Sequence, residues 1–184
     1  EQNVFSLIDP NVLKLTDGEL KQRLSVVDDR RLWVVADALR RGTSTEEIHE
    51  ITKIDPWFLN KLISIIDVEK ALASQPIDKT LLFRAKDFGF IDKTISELSG
   101  KTVEEIRTME NEWSIHPIYK MVDTCAAEFD AETPYYYSSY GIENESKPQN
   151  DRKKVLVIGS GPIRIGQGIE FDYSCVHGVL AAKE

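Results

Sequence analysis

Residues 38–59 read ALRRGTSTEEIHEITKIDPWFL, and residues 85–106 read AKDFGFIDKTISELSGKTVEEI. Set 47 positions apart, they agree in residue type: Ala38, Gly42, Ile48, Glu50, Ile51 and Leu59 meet Ala85, Gly89, Ile95, Glu97, Leu98 and Ile106. A fixed period of this kind marks repeated supersecondary units. The grammar inside each unit is helical. Gly42 follows Arg40 and Arg41 as a left-handed stop. Ser44 with Glu47 reads as a capping box that opens a helix over Glu46–Thr52. Asp55-Pro56 supplies an N-cap and a proline at the first helical position of the next helix. That helix runs inward through Phe58, Leu59, Leu62, Ile65, Ile66 and Leu72 and stops at Pro76. Upstream, Asp28 or Asp29 caps a helix whose Leu32, Val35, Ala36 and Leu39 share one face. From about Thr16 to Trp113 the sequence therefore predicts a stack of short capped helices containing two related hairpins.

After Trp113 the helical period stops. Ser114–Tyr140 carries Pro117, Pro134, a run of tyrosines and several β-branched residues, so part of it is expected to be extended. The stretch 141–153, GIENESKPQNDRK, has almost no large apolar side chain and reads as a linker. Lys154–Ile158 then reads as a short buried-type strand, followed by a glycine-rich turn and a helix from Phe171 or Asp172 onward. One strand and one helix cannot enclose a core, so this unit is expected to be incomplete. The expected fold class is mainly α: a helical domain over 1–140, a linker over 141–153, and a truncated α/β strand-turn-helix over 154–184. An apolar strand needs a ladder partner. The candidates are Tyr135–Ser138 or, favoured here, the equivalent strand of a second copy.

The net charge of −8 lies entirely before residue 154, because Lys154, Arg164 and Lys183 balance Glu170, Asp172 and Glu184. An acidic helical part repels phosphate backbones and anionic lipid, so neither nucleic acid nor membrane is an expected partner. Helix, glycine stop and two capped helices also describe a helix-turn-helix unit. Its recognition helices would here carry Glu46, Glu47 and Glu50, or Glu104 and Glu105, where a groove reader wants Arg, Lys, Asn or Gln. No apolar run approaches the ~20 residues of a membrane span, and the longest is of the order of Val155–Ile158. Cys125 and Cys175 have no metal-type spacing and read as free thiols. His49, His116 and His177 lack a second metal-type ligand nearby, and Glu46, Glu47 and Glu50 read as a solvated face. The tyrosines at 135–137 and 140, without interleaved Lys or Arg, read as a contact between domains rather than a base-stacking platform.

The glycine-rich turn is spaced G-x-G-x-x-x-x-G, which is neither the dinucleotide fingerprint nor a phosphate loop. By the glycines alone, a tight strand-to-helix turn is an equal reading. The full string Gly161-Pro162-Ile163-Arg164-Ile165-Gly166-Gln167-Gly168-Ile169-Glu170-Phe171-Asp172-Tyr173, however, closely resembles the opening of the second synthetase half of carbamoyl-phosphate synthase large subunits. Residues 47–59, residues 122–129 (VDTCAAEF) and residues 133–138 (TPYYYS) resemble the central helical domain of the same family. The Arg-Ile-Gly-Gln-Gly wording resembles the form with a separate glutaminase subunit.

The resemblance implies an oligomerisation domain of short capped helices, followed by the start of a Rossmann-like pre-ATP-grasp domain. It implies a parent ligase that makes carbamoyl phosphate from bicarbonate, ammonia released from glutamine, and two ATP, with Mg or Mn, for arginine and pyrimidine synthesis. The fragment itself is expected to hold no cofactor and no catalytic residue. Its implied partners are further copies of itself, the other domains of the large subunit, and the small glutaminase subunit, and its implied location is cytoplasmic. Arg164, Gln167 and Gly168 are implied to lie by the internal passage that delivers carbamate to the second active site. For Arg164, an ion pair with a neighbouring glutamate and contact with a ligand both remain open. The rival reading is a stand-alone helical interaction module of helix-turn-helix type.

Overall fold

The computed structural model describes residues 6–130, 135–147, 153–158 and 170–183. They fall into two compact units, Glu1–Ser146 and Lys147–Glu184. In the first, α1 (Pro10–Leu13), α2 (Asp17–Leu24), α3 (Arg31–Arg40), α4 (Thr45–Thr52), α5 (Pro56–Ser74), α6 (Lys79–Asp87), α7 (Asp92–Ser99) and α8 (Val103–Glu112) precede β1 (Ile118–Met121) and β2 (Tyr136–Ser139). In the second, α9 spans Glu170–Lys183.

The repeat is structural. α3, α4 and the start of α5 correspond to α6, α7 and α8, and α4 and α7 begin 47 positions apart, as do α5 and α8. Both α3 and α6 end in a Schellman motif: Thr43 N donates to Ala38 O and Gly42 N to Leu39 O, while Phe90 N donates to Ala85 O and Gly89 N to Lys86 O. Gly42 and Gly89 sit at φ of +92° and +84°, where any Cβ would be strained. The stop after α4 uses Lys53 at φ 59°, and the stop after α7 uses Gly100 at φ 73°. His49 and Ser96 occupy equivalent positions and perform the same local task. The imidazole Nδ1 of His49 is 2.8 Å from Ile54 O, and the hydroxyl of Ser96 donates to Lys101 O at 2.5 Å. Each satisfies a carbonyl in the turn beyond its helix.

The expected cap at Asp55 is present, accepting from Trp57 N at 2.8 Å ahead of Pro56. Two others differ. Ser44 accepts from Glu47 N at 3.1 Å, but Glu47 does not return the bond; its carboxylate instead pairs with Lys21 of α2. The full capping boxes are Thr16 with Glu19 at α2 and Thr102 with Glu105 at α8. The N-cap of α3 is Arg30, and Asp28 acts one step earlier by accepting from Arg30 N at 3.0 Å.

Two apolar clusters fill the first unit, and α5 passes through both. Val34, Val35, Leu39 and Ile48 pack with Leu59 and Ile66, whereas Leu82, Ile95 and Ile106 pack with Val68 and Leu72. The equivalent pairs Ile48 and Ile95, and Leu59 and Ile106, are all fully buried, each contributing about 1.5–3 kcal/mol of transfer free energy. Leu32 and Phe58, expected to face inward, are exposed. Phe58 lies in the first turn of α5, one position before the buried Leu59 that begins the inward stripe.

The expected extended chain is a two-stranded antiparallel sheet pairing Ile118 with Ser139, Tyr119 with Ser138, Lys120 with Tyr137 and Met121 with Tyr136. The tyrosine stretch is thus paired with β1 along one of its edges. The segment 154–158 carries no strand assignment. Val155, Leu156 and Ile158 are 72%, 85% and 86% exposed, against the expected buried strand. A strand of the parallel type is stable only with neighbours on its ladder, and the described residues of the second unit hold none. α9 follows with Tyr173 and His177 one turn apart, ring centroids 4.1 Å from each other.

Candidate functional site

Among the described residues, nothing assembles into a chemical centre. No group of three or more His, Cys, Asp or Glu is placed to hold a metal ion. His49 is spent on a turn carbonyl, and Glu46, Glu47 and Glu50 are exposed. Cys125 and Cys175 are free and half-buried. Arg164, Gln167 and Gly168 lie outside the described residues. No helix among those described is long and apolar enough to cross a membrane. What the first unit presents instead is a shaped surface on a rigid frame.

Part of that frame is ionic and was not anticipated from the sequence. Lys86, near the end of α6, is 7% exposed. Its ammonium lies 2.6 Å from Asp92 of α7 and 3.0 Å from Glu110 of α8, and Arg107 of α8 also reaches Asp92 at 3.4 Å. Above it, 5.2 Å away, sits the ring of Tyr140, the residue after β2. Burial favours the neutral amine of Lys86, but the bonds to Asp92 and Glu110 outweigh it and hold its pKa above the ordinary lysine value. Burial likewise pushes the Asp92 carboxyl up, and its bonds from Lys86 and Arg107 prevail and leave it below the usual range. One ammonium therefore ties three helices together and seats the end of the sheet on the second repeat.

A comparable cluster serves the first repeat, where Arg40 bonds Asp37 and the buried Glu69 of α5 at 3.0 and 2.8 Å. Arg41 bonds Asp37 and Asp17. Both arginines also donate to carbonyls of the N-terminal segment, at Leu7, Leu13 and Leu15. Spacing alone could have flagged the pairing of Asp37 with Arg40 and Arg41, which lie three and four residues on. The partners of Lys86 come from other helices and leave no such signal.

Two exposed features stand on this frame. Trp57 and Phe58 begin α5 with their rings edge to face at 5.0 Å, and Lys61 lies 5.0 Å over Trp57. In the second repeat the equivalent positions are Glu104 and Glu105, so the fold itself does not require aromatics there. The other feature is the sheet, with Tyr119, Tyr135, Tyr136 and Tyr137 all exposed. A groove of about 530 Å³ lies between Lys86–Asp92 and Ser138–Tyr140.

Comparison with known proteins agrees with the layout. Residues 1–114 match the family described as carbamoyl-phosphate synthetase large chain, oligomerisation domain. Residues 151–184 match the carbamoyl phosphate synthase preATP-grasp domain. The carbamoyl phosphate synthase large chain of Agathobacter rectalis is 54% identical over 177 residues, which cover 96% of this chain. That of Lachnoclostridium phytofermentans is 49% identical over 178 residues, again 96% of this chain. The chain spans 17% of the length of each of these relatives.

Replacing Lys86 by Met removes the charge but keeps the volume, leaving the half-buried Asp92 with the exposed Arg107 alone and the half-buried Glu110 without its cation. The expected cost is about 2 kcal/mol at neutral pH. Because the folded pKa of Asp92 is depressed, its contribution is complete above the unfolded value of about 4 and is lost as pH falls through the folded value. Urea unfolding of both proteins at pH 7 and pH 3 is the check. The difference should narrow in acid, and a difference that is absent at pH 7 or unchanged at pH 3 contradicts the assignment.

Proposed function

The chain belongs to the carbamoyl-phosphate synthase large-chain family, and from that premise we propose that its helical unit is a scaffold that self-associates and spaces the ATP-using halves of its parent. The observation that carries this reading is the contrast within the first unit. Its buried charged groups are spent on holding helices together, while Trp57, Phe58 and the tyrosines at 119 and 135–137 are displayed outward. A surface of that composition suits protein contact.

In the proposed parent, one half phosphorylates bicarbonate and combines it with ammonia to give carbamate, and the other phosphorylates carbamate to carbamoyl phosphate. Each step consumes one ATP, with Mg or Mn at the nucleotide, and the ammonia comes from glutamine on a small partner subunit. Arginine and pyrimidine synthesis are the proposed destinations of the product, and the cytoplasm the proposed location. This chain's own contribution to the chemistry is confined to the glycine turn. There Arg164, Gln167 and Gly168 are proposed to border the path of carbamate, the guanidinium offering a fixed positive charge and the glycine leaving space beside the backbone. The helix-turn-helix alternative has less support, since the first turns of α4 and α8 carry Glu46, Glu47, Glu104 and Glu105.

Sedimentation equilibrium of this 184-residue chain is expected to give a mass that rises above the monomer with concentration, and assays with bicarbonate and Mg-ATP no turnover. A monomer at every concentration, or bicarbonate-dependent ATP hydrolysis, contradicts the reading. In the complete large chain, Gly168→Phe is expected to slow the carbamate-consuming step while sparing bicarbonate-dependent ATP turnover in the first half. An unslowed carbamate-consuming step would remove Gly168 from the passage, whereas equal loss of both would point to misfolding instead.

A further inference from the structure

The two outer edges of the β1–β2 sheet are finished differently. On β1, Tyr119 N donates to Asn144 Oδ1 at 3.0 Å and Met121 N to Glu145 Oε2 at 2.7 Å, while Glu145 N donates to Tyr119 O at 2.9 Å. That edge is closed by the chain that follows the sheet. Since Tyr119 and Met121 turn their peptide groups outward, the alternation of a strand turns Ile118 and Lys120 toward β2, where they face Ser139 and Tyr137. The bond from Val122 N to Tyr135 O, 2.8 Å, continues the pattern. Tyr136 and Ser138 must then direct their N–H and C=O groups to the outer edge of β2. No described residue bonds them there.

An open edge is normally guarded by a charge, a proline or a bulge. Tyr136-Tyr137-Ser138-Ser139 contains no charge and no proline, and its pairing with β1 is regular. At the C-terminal end of the strand, Ser138, Ser139 and the following Tyr140 line the groove of about 530 Å³, so the fold leaves room there. Tyr135, Tyr136 and Tyr137, 65%, 47% and 52% exposed, add apolar area with few rotors to order on contact.

We infer that β2 is a self-pairing strand, joining antiparallel to β2 of a second copy across a two-fold axis to make one continuous four-stranded sheet. The inference rests on the self-association proposed above and names the surface that carries it. Two arguments select a second copy as the occupant. An antiparallel edge is self-complementary under a two-fold, so the contact closes on itself. The chain also carries a net charge of −8, so most faces repel their own image, whereas this uncharged strand does not. The register that uses the outward groups of both residues has Tyr136 of one copy exchanging both backbone hydrogen bonds with Ser138 of the other, so that Tyr137 meets its own image at the axis.

Ser138→Pro removes the outward N–H without touching the groups that face β1. Sedimentation equilibrium should show its self-association weakened about tenfold or more, the effect of losing two backbone hydrogen bonds per pair, with helical circular dichroism retained. Ser138→Ala should associate as the unaltered chain does. Unweakened association of Ser138→Pro overturns the inference. So does loss of association in Trp57→Glu with retention in Ser138→Pro, which would move the contact to the start of α5. An unaltered chain that stays monomeric defeats the self-association reading itself as well as the strand. Should the proline disturb the sheet, Tyr137→Cys in a chain with Cys125 and Cys175 changed to Ser decides the matter. Cross-linking to its own copy under mild oxidation supports the pairing, and failure to cross-link rejects it.

Discussion

α5 has to bury residues toward two different clusters along its 19 residues, and the rest of the first unit follows from that requirement. Leu59 and Ile66 belong to the first cluster, Val68 and Leu72 to the second. Burial removes each of these side chains from water only if both repeats are in place. A helix that begins as the last member of one repeat and continues as the support of the next leaves neither repeat with a complete core of its own. The ionic clusters reinforce the arrangement at either end, Glu69 of α5 engaging Arg40 of α3, and Lys86 drawing α7 and α8 onto α6. Removing one partner from such a cluster exposes the others to the full penalty of unpaired burial.

The helical grammar was legible in the sequence because it is local. Gly42 and Gly89 announce positive φ, Asp55-Pro56 announces a helix start, and the recurrence of type at a fixed interval announces a repeat. Local rules also failed where a longer-range partner competed. Glu47 has the spacing for a capping box with Ser44, yet Lys21 of α2 takes its carboxylate. Phe58 and Leu32 have helical spacing but lie off the face that the neighbouring helices cover. The partners of Lys86 are brought together by three helices, an arrangement that no pattern along one helix encodes. Lys154–Ile158 reads as a buried strand because its composition is that of one, but composition does not supply a ladder partner. His49 shows the converse: a residue type that invites a chemical role holds a turn, and Ser96 does the same work in the other repeat.

What the molecule offers to function is therefore position and surface. The ammonium of Lys86 beneath Tyr140 sets the sheet against the second repeat, and the side chains of Asn144 and Glu145 finish one side of that sheet. With one edge closed and the helices locked, the exposed tyrosines and the open strand are held in a fixed place. The aromatic pair at Trp57 and Phe58 stands where the second repeat has two glutamates, a difference between copies that the common fold does not demand. Specialisation of one repeat at a position that both share is the mark of a contact rather than of a core.

The dependence of both repeats on α5 can be read directly, because each cluster has its own reporter: Trp33 packs against the first and Trp113 against the second. Denaturant unfolding of variants keeping Trp33 or Trp113 as the sole tryptophan should give, within each variant, coincident midpoints by fluorescence and by helical circular dichroism. Adding Ile95→Val, which costs roughly 1 kcal/mol in the second cluster, should lower the midpoints of both variants. Separate midpoints, or a shift confined to the Trp113 signal, would mean that the repeats fold independently and that α5 does not unite them.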